Sequence, residues 1–268
     1  MPVFNICRKL NLHLRSGSSA VLANPPENWY NTVISVREVP SSLEYGIVEK
    51  GIFLKRPNRF IAHGETAQGE QICHDKNTGR CKELLIPGTT VYLEKSPNPN
   101  RKTQYDLIAV EKGNLLINMD SQAPNQVAEE YLPRLLPGLT AYRREQVWGN
   151  SRFDFYAEAA RERWFLEVKG VTLEVDGEAL FPDAPTQRGV KHLQELVRCQ
   201  AEGYRACVLF VVQMAGMRYV APNRATHPEF ARALEEAAAH GVRVEAVSCR
   251  VTPSTLEADA PLEVRLHE

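Results

Sequence analysis

The six cysteines include no Cys-x-x-Cys pair, and no histidine stands near one at zinc-finger spacing, which argues against a structural zinc. Cys199 and Cys207 lie in apolar, periodic segments and read as buried free thiols, in keeping with a reducing cytoplasm. No apolar run approaches the roughly 20 residues needed to cross a bilayer, so no membrane partner is expected. An excess of charge is also missing: 32 basic residues balance 33 acidic ones, so bulk positive charge cannot be what draws this chain to a partner. No helix-turn-helix is evident, which weakens a sequence-specific transcription factor of that kind.

What charge there is has been sorted along the chain. From Lys50 to Lys102 there are ten Lys or Arg against five Asp or Glu, a stretch that suits phosphate. From Leu173 to Asp183 there are four acidic residues and no basic one, a stretch that suits a cation. At 268 residues the chain has room for two compact units. Residues 1–42 are expected to stand apart as a poorly ordered extension or as sequence ahead of the true start, since Pro25, Pro26 and Pro40 interrupt them and no apolar period emerges. The competing reading is a transit peptide, because the first 26 residues carry three basic and no acidic residues, with Ser16, Ser18 and Ser19.

Over residues 43–122 the texture is that of short β-runs: Tyr45 to Leu54, Arg59 to Glu65, Glu70 to Asp75, Thr89 to Glu94, Gln104 to Val110 and Leu115 to Met119. Turn residues part them, as at Asn77-Thr78-Gly79 and Pro97-Asn98-Pro99-Asn100. A small all-β barrel such as an OB-fold is predicted. Its basic residues Arg56, Arg59, Arg80, Lys82, Arg101 and Lys102 are candidates for a phosphate groove, and the Asn77-Thr78-Gly79 turn for a phosphate contact. Phe60 and Tyr92 are open between base stacking and core packing, with packing favoured for each.

Residues 123–268 change rhythm. Val127, Tyr131 and Leu135 recur at helical intervals over Ala123 to Leu136, predicting a hinge helix that ends at Pro137-Gly138. Strands are predicted over Thr140 to Val147, Arg152 to Glu158 and Trp164 to Thr172, the last two forming a hairpin around Arg161-Glu162-Arg163. A helix from Thr186 to Glu202 stops at Gly203, and Ala206 to Gln213 reads as a strand buried on both faces. A further helix, Pro228 to His240, closes at Gly241 before a last strand, Val242 to Ser248. Strands alternating with helices imply a mixed sheet flanked by helices.

The chemistry concentrates on the hairpin. By strand alternation Phe153 and Phe155 should share one face and Asp154 the other, while Glu167 and Lys169 share a face. Paired through the turn, Asp154 can lie near Glu167, since neighbouring strands sit about 4.8 Å apart. Two carboxylates on a largely buried sheet repel unless a positive charge lies between them, and a divalent cation with oxygen ligands answers that need. Mg2+, or Mn2+ in its place, held by Asp154, Glu167 and the Val168 carbonyl, would then serve phosphodiester hydrolysis, with Lys169 orienting water or stabilising developing charge. The competing reading is an exposed, salt-bridged strand face worth at most about 1 kcal/mol. Glu145 is open between a further catalytic acid and a surface charge beside Arg143 and Arg144. Arg188 and His192, four residues apart, share a helix face behind a Thr186 cap and suit a phosphate grip, against the reading of an ordinary solvated helix side.

The segments HDKNTGRCKELLIPGTTVYL (His74 to Leu93), SRFDF (Ser151 to Phe155), FLEVKGVTL (Phe165 to Leu173) and FPDAPTQRGVKHLQEL (Phe181 to Leu196) resemble the sugar fermentation stimulation protein A family, in order and spacing. The resemblance runs from about Leu43 to the C-terminus and leaves residues 1–42 unmatched. It implies an N-terminal OB-fold joined to a domain of the PD-(D/E)XK nuclease superfamily, with Asp154, Glu167 and Lys169 on that superfamily's motif and Arg188 and His192 on its basic helix. It further implies a bacterial DNA-binding protein linked to regulation of sugar (maltose) metabolism. Three functions are carried forward: a magnesium-dependent DNA nuclease, a regulator that binds DNA without cleaving it, and carbohydrate binding through the barrel. DNA is the expected partner, and a homodimer is left open.

Overall fold

A computed structural model describes residues 42–77 and 79–267 in full and the backbone of residues 34–35. Most of the expected extension, and Thr78 of the turn assigned to phosphate, lie outside the described residues. The described part of the chain belongs to a single compact unit. Its first two strands, β1 (Ile34–Ser35) and β2 (Leu43–Glu44), pair into the sheet of the second half rather than into the barrel that follows them.

The barrel is built from β3 (Val48–Asn58), β4 (Ile61–Thr66), β5 (Gly69–Asp75), β6 (Thr90–Lys95) and β7 (Tyr105–Lys112). Antiparallel ladders join β3 to β4, β4 to β5, β3 to β6 and β6 to β7. A parallel β5–β7 ladder, Cys73 opposite Tyr105, closes the circle and gives the OB-fold. Alternation sends Phe53, Ala62, Cys73, Val91, Leu93 and Leu107 inward, where all are buried. The expected sixth run, β8 (Leu115–Asn118), extends β7 at the sheet's edge and leads out of the barrel.

The second half holds α1 (Ala123–Leu135), β9 (Leu139–Trp148), β10 (Ser151–Ala159), β11 (Glu162–Val171), β12 (Leu173–Val175) and β13 (Glu178–Phe181). Then come α2 (Gln187–Ala201), β14 (Arg205–Val212), β15 (Val220–Pro222), α3 (Pro228–Ala239), β16 (Arg243–Val251) and β17 (Thr255–Pro261). The main sheet runs β1-β9-β10-β11-β14-β16-β17-β2, parallel across β11, β14 and β16 and antiparallel at both flanks. Successive residues of β11 face opposite sides. Leu166 and Val168 join Val127, Tyr131 and Leu132 of α1 in one core, while Glu167 meets His192 of α2 on the other side. The sheet is therefore sandwiched between helices, as the alternation of elements predicts. β14 is buried on both faces: Cys207, Leu209 and Val211 lie in the α1 core, and Phe210 stacks near Phe181 at 5.6 Å.

β1, β2, β12, β13, β15 and β17 lie outside the strands predicted from the sequence. Asp176 and Gly177, both at positive φ (50° and 80°), form the tight turn between β12 and β13, a local signal present in the Val-Asp-Gly-Glu run. β15 is set by a partner far along the chain, Ala179 opposite Val220, whereas β17 forms a hairpin with β16 and also pairs with distant β2. No helix among the described residues is long and apolar enough to cross a membrane.

Candidate metal centre and nucleic-acid interface

β10 and β11 form the hairpin that carries the candidate chemistry, in register from Ala159↔Glu162 to Phe155↔Leu166. The turn is Ala160-Arg161, both left-handed (φ 50° and 68°), so Glu162 and Arg163 sit in the ladder and not in the turn as expected. Two-residue turns of this hand match the strand twist, which overrides the pull of three charged residues toward solvent. Continued one step, the register sets Asp154 opposite Glu167.

At Asp154 the alternation slips. Phe153 packs beside Phe165 at 5.4 Å on the α2 side, whereas Phe155 packs beside Tyr142 at 6.3 Å in the α1 core. The two phenylalanines thus face opposite ways, correcting the expectation that they share a face. The ladders record no partner for Asp154 on either side, and Glu145, across from it on β9, adopts φ 54°. Asp154 Oδ2 instead accepts the Val168 backbone N–H at 2.7 Å, and Oδ1 accepts from Asn125 Nδ2 of α1 at 3.0 Å. The carboxylate fills the place of a ladder acceptor where the strands part.

Glu167 is 3% exposed. Its Oε1 accepts from Lys169 Nζ at 2.5 Å and from His192 Nδ1, while Oε2 is buried with no hydrogen-bond partner. Burial alone would raise the Glu167 carboxyl; the His192 hydrogen bond and the Lys169 charge outweigh it and hold it below the usual range. Asp154 shows the reverse: burial first, then the Glu167 charge, push it up, against the Val168 and Asn125 hydrogen bonds. Two carboxylates on one sheet thus sit in electrostatic tension, one pinned in the charged form and one resisting it. Among the described residues no group of three His, Cys, Asp or Glu side chains could hold a metal. The oxygen donors gathered here are the two carboxylates, beside the Val168 backbone.

Glu145 lies at the rim, exposed and 3.5 Å from Arg152, along a 610 Å³ cavity that it shares with Asp154, Asn125 and Gln122. Arg143 is buried, and Arg144 pairs with buried Glu129, so the charges beside Glu145 in sequence face other partners. His192 is 5% exposed, covered edge-on by Phe153, and cannot reach nucleic acid as expected of it. Arg188 is exposed on the same face, and its Nε donates to His192 Nε2 at 3.4 Å. Thr186 caps α2 by accepting the Gly189 N–H at 3.1 Å, as the sequence predicts.

On the barrel, two of the six basic candidates turn inward. Arg56 reaches Asp75 at 2.7 Å and donates to the carbonyls of Asn77 (2.5 Å), Gly79 (2.9 Å) and Arg80 (2.9 Å), so it clamps the turn instead of offering itself to phosphate. Arg101 forks onto Asp106 at 2.6 and 3.0 Å. In both cases a buried carboxylate claims the cation, since an unpaired buried charge is costly. Arg59, Arg80 and Lys82 line a 310 Å³ cavity beside Cys81 and Leu85, and Lys102 is exposed on its loop. Asn77 Oδ1 accepts the Gly79 N–H, shaping the turn. Phe60 is 52% exposed, whereas Tyr92 donates to Glu111 and packs against the Tyr45–Ile108–Ala109 cluster.

The acidic stretch does not gather as a cation site. Glu174 binds Lys112, Glu178 binds Arg218, and Asp183 accepts the Arg80 backbone N–H at 3.0 Å, tying the barrel turn to the loop before α2. Asn125, which donates to Asp154, carries no signal of its own in the sequence, and Asp183 is marked there only as the end of the acidic stretch. Neither belongs to a periodic pattern, and both act across long sequence separations.

Two family models match the chain: "SfsA N-terminal OB domain" over residues 54–119 and "Sugar fermentation stimulation protein RE domain" over residues 122–255. Among curated relatives, a sugar fermentation stimulation protein homolog of Ruminiclostridium cellulolyticum is 51% identical over 226 residues, 84% of this chain and all of its own. The homolog of Desulfitobacterium hafniense strain Y51 is 53% identical over 227 residues, again 84% of this chain and all of its own. Among solved structures, Pyrococcus furiosus SfsA in complex with Ca2+ is 28% identical, with a TM-score of 0.75, covering 84% of this chain and 99% of that one.

Proposed function

Because the chain belongs to the sugar fermentation stimulation protein family, we propose that its hairpin site is a divalent-metal-dependent phosphodiesterase centre acting on DNA that the barrel helps to hold. The observation that carries this reading is Glu167: a buried carboxylate held in its charged form, with one oxygen saturated by donors and the other without a partner. A buried acceptor left so is costly unless a cation answers it. Asp154 and Glu167, with the Val168 carbonyl, would hold Mg2+ or Mn2+. Such an ion lowers the pKa of water and offsets charge developing on a phosphate. The Pyrococcus furiosus relative was solved with Ca2+, also an oxygen-seeking cation.

The protein's own groups do the rest. Asn125 and the Val168 N–H fix the orientation of Asp154, and the Lys169 ammonium, resting on Glu167, stands ready to steer a nucleophilic water or steady an oxyanion. Glu145, which lines the same cavity as Asp154, would meet the substrate strand or its attacking water. Arg59, Arg80, Lys102 and Arg188 supply exposed positive charge for the backbone, with Phe60 as the exposed stacking group.

Labelled single-stranded, duplex and branched DNA, with RNA controls, incubated with Mg2+ or Mn2+, should be cut by the wild type. Cleavage should drop by at least 10²-fold in Asp154→Ala, Glu167→Ala and Lys169→Ala. Undiminished cleavage by all three folded variants would remove the assignment. The basic cavity on the barrel favours a second reading, a regulator that binds without cutting; its signature is salt-sensitive DNA binding with no cleavage under either metal.

A further inference from the structure

Glu167 has two oxygens in unequal circumstances, and the cause lies on α2. Oε1 receives both the Lys169 ammonium and the His192 Nδ1–H, and Oε2 receives neither. A histidine can donate from Nδ1 and accept at Nε2 in one tautomer alone. Arg188 Nε donates to His192 Nε2 at 3.4 Å, so the guanidinium selects that tautomer. Phe153 lies edge-on to the imidazole at 6.2 Å, and the Thr186 cap holds the first turn of the helix. The chain of contacts runs from exposed Arg188 through buried His192 to the buried carboxylate.

We propose that His192 is a positioning residue: held by Arg188 in the tautomer that donates from Nδ1, it pins Glu167 Oε1 and leaves Oε2 as the oxygen presented to a divalent cation. The inference rests on the metal-site reading above and goes beyond it, because it moves His192 from the nucleic-acid surface to the layer behind a ligand. Groups in that layer orient a metal ligand, and their loss weakens metal affinity by about 10- to 100-fold. It also gives Arg188 a part to play in metal binding before any DNA arrives.

The side-chain lengths of asparagine and glutamine separate this role from simple packing. Asparagine places an amide N–H at the same bond count from Cα as Nδ1, and glutamine places it at that of Nε2. Mn2+ binding to the full chain without DNA, followed by the loss of the free-ion electron paramagnetic resonance signal, is the readout, with thermal melting run beside it. The wild type should bind, and His192→Asn should stay within about 3-fold of it. His192→Gln should lose about 10- to 100-fold. Arg188→Ala, an exposed change that does not threaten folding, should weaken Mn2+ binding measurably. Equal affinity in the wild type, His192→Gln and Arg188→Ala would overturn the positioning role while leaving the metal site standing. No Mn2+ binding by the wild type, or equal binding by Glu167→Ala, would instead remove the metal-site reading and this inference with it.

Discussion

Basic residues near a candidate groove divide according to which carboxylates lie buried beneath them. Arg56 and Arg101 look interchangeable with Arg59 and Arg80 in the sequence, yet Asp75 and Asp106 are buried and draw the first two inward. Asp106 makes the consequence measurable. Burial pushes its carboxyl up, but the Arg101 fork and the Lys76 charge bring it below the usual range. A folded-state pKa below the unfolded value of about 3.9 contributes stability above that value and loses it as pH falls through the folded one. Arg101→Ala should therefore lower stability by about 1–2 kcal/mol at pH 7, discounted for the partial exposure of the arginine. The gap to wild type should narrow as the pH falls below about 3.9 in urea melts. A constant gap across that range would show that lost packing, and not the ion pair, sets the cost.

Among the elements, α1 bears most directly on the candidate centre, because it delivers Asn125 to Asp154. Gly170, one residue past Lys169, is where the helix seats: a Cβ there would meet Pro124 Cγ at 2.6 Å and Gln213 Oε1 at 2.6 Å. Gly170→Ala should destabilise by about 1–3 kcal/mol through overpacking and tilt the start of α1 away from the sheet. Chemical denaturation reads the first effect, and a weakened Asp154–Asn125 contact should appear as a changed Mn2+ affinity; a fully stable variant would show that the helix start yields freely. Most elements are legible from local pattern, since β3 to β7, α1, α2, β14 and α3 each carry their own periodicity or caps. The slip at Asp154 is not, because alternation counts residues, and the turning of Phe153 and Phe155 to opposite faces depends on where β11 stops pairing with β10 and on the break in the β9 ladder at Glu145.

At the scale of the whole chain, a buried polar network binds the barrel to the second half. Gln213, past the end of β14, donates to Asn118 Oδ1 (2.9 Å) and to the Asp120 carbonyl (3.0 Å), and its own carbonyl accepts the Asn118 N–H. Asp120 in turn takes Lys76 at 2.9 Å, and Asn118 donates to Tyr45, whose hydroxyl is pushed up by burial and by the Asp120 charge. Such a network couples the two cores, so barrel and sheet should unfold in one calorimetric transition. Gln213→Ala removes two buried hydrogen bonds, although Asn118 Oδ1 keeps the Asp120 N–H and the Asp120 carbonyl keeps the Ala123 N–H, and should cost about 1–3 kcal/mol. Amide exchange in β7 and in β14 should then accelerate together; exchange that speeds in one half alone would mean that the halves are stabilised separately.

The sequence by itself determined the two architectures, because strand alternation, helix period and turn residues are local properties written into consecutive positions. It also determined which hairpin carries the carboxylate pair, since Asp154, Glu167 and Lys169 are brought together by one short turn. Tertiary structure alone decided which polar groups remain available. Arg56 and Arg101 went to buried carboxylates, His192 to Glu167, and Asp183 to the barrel turn. The physical reason is that a buried charge takes the nearest partner in space, and a partner 25 or 103 residues away leaves no mark on local spacing.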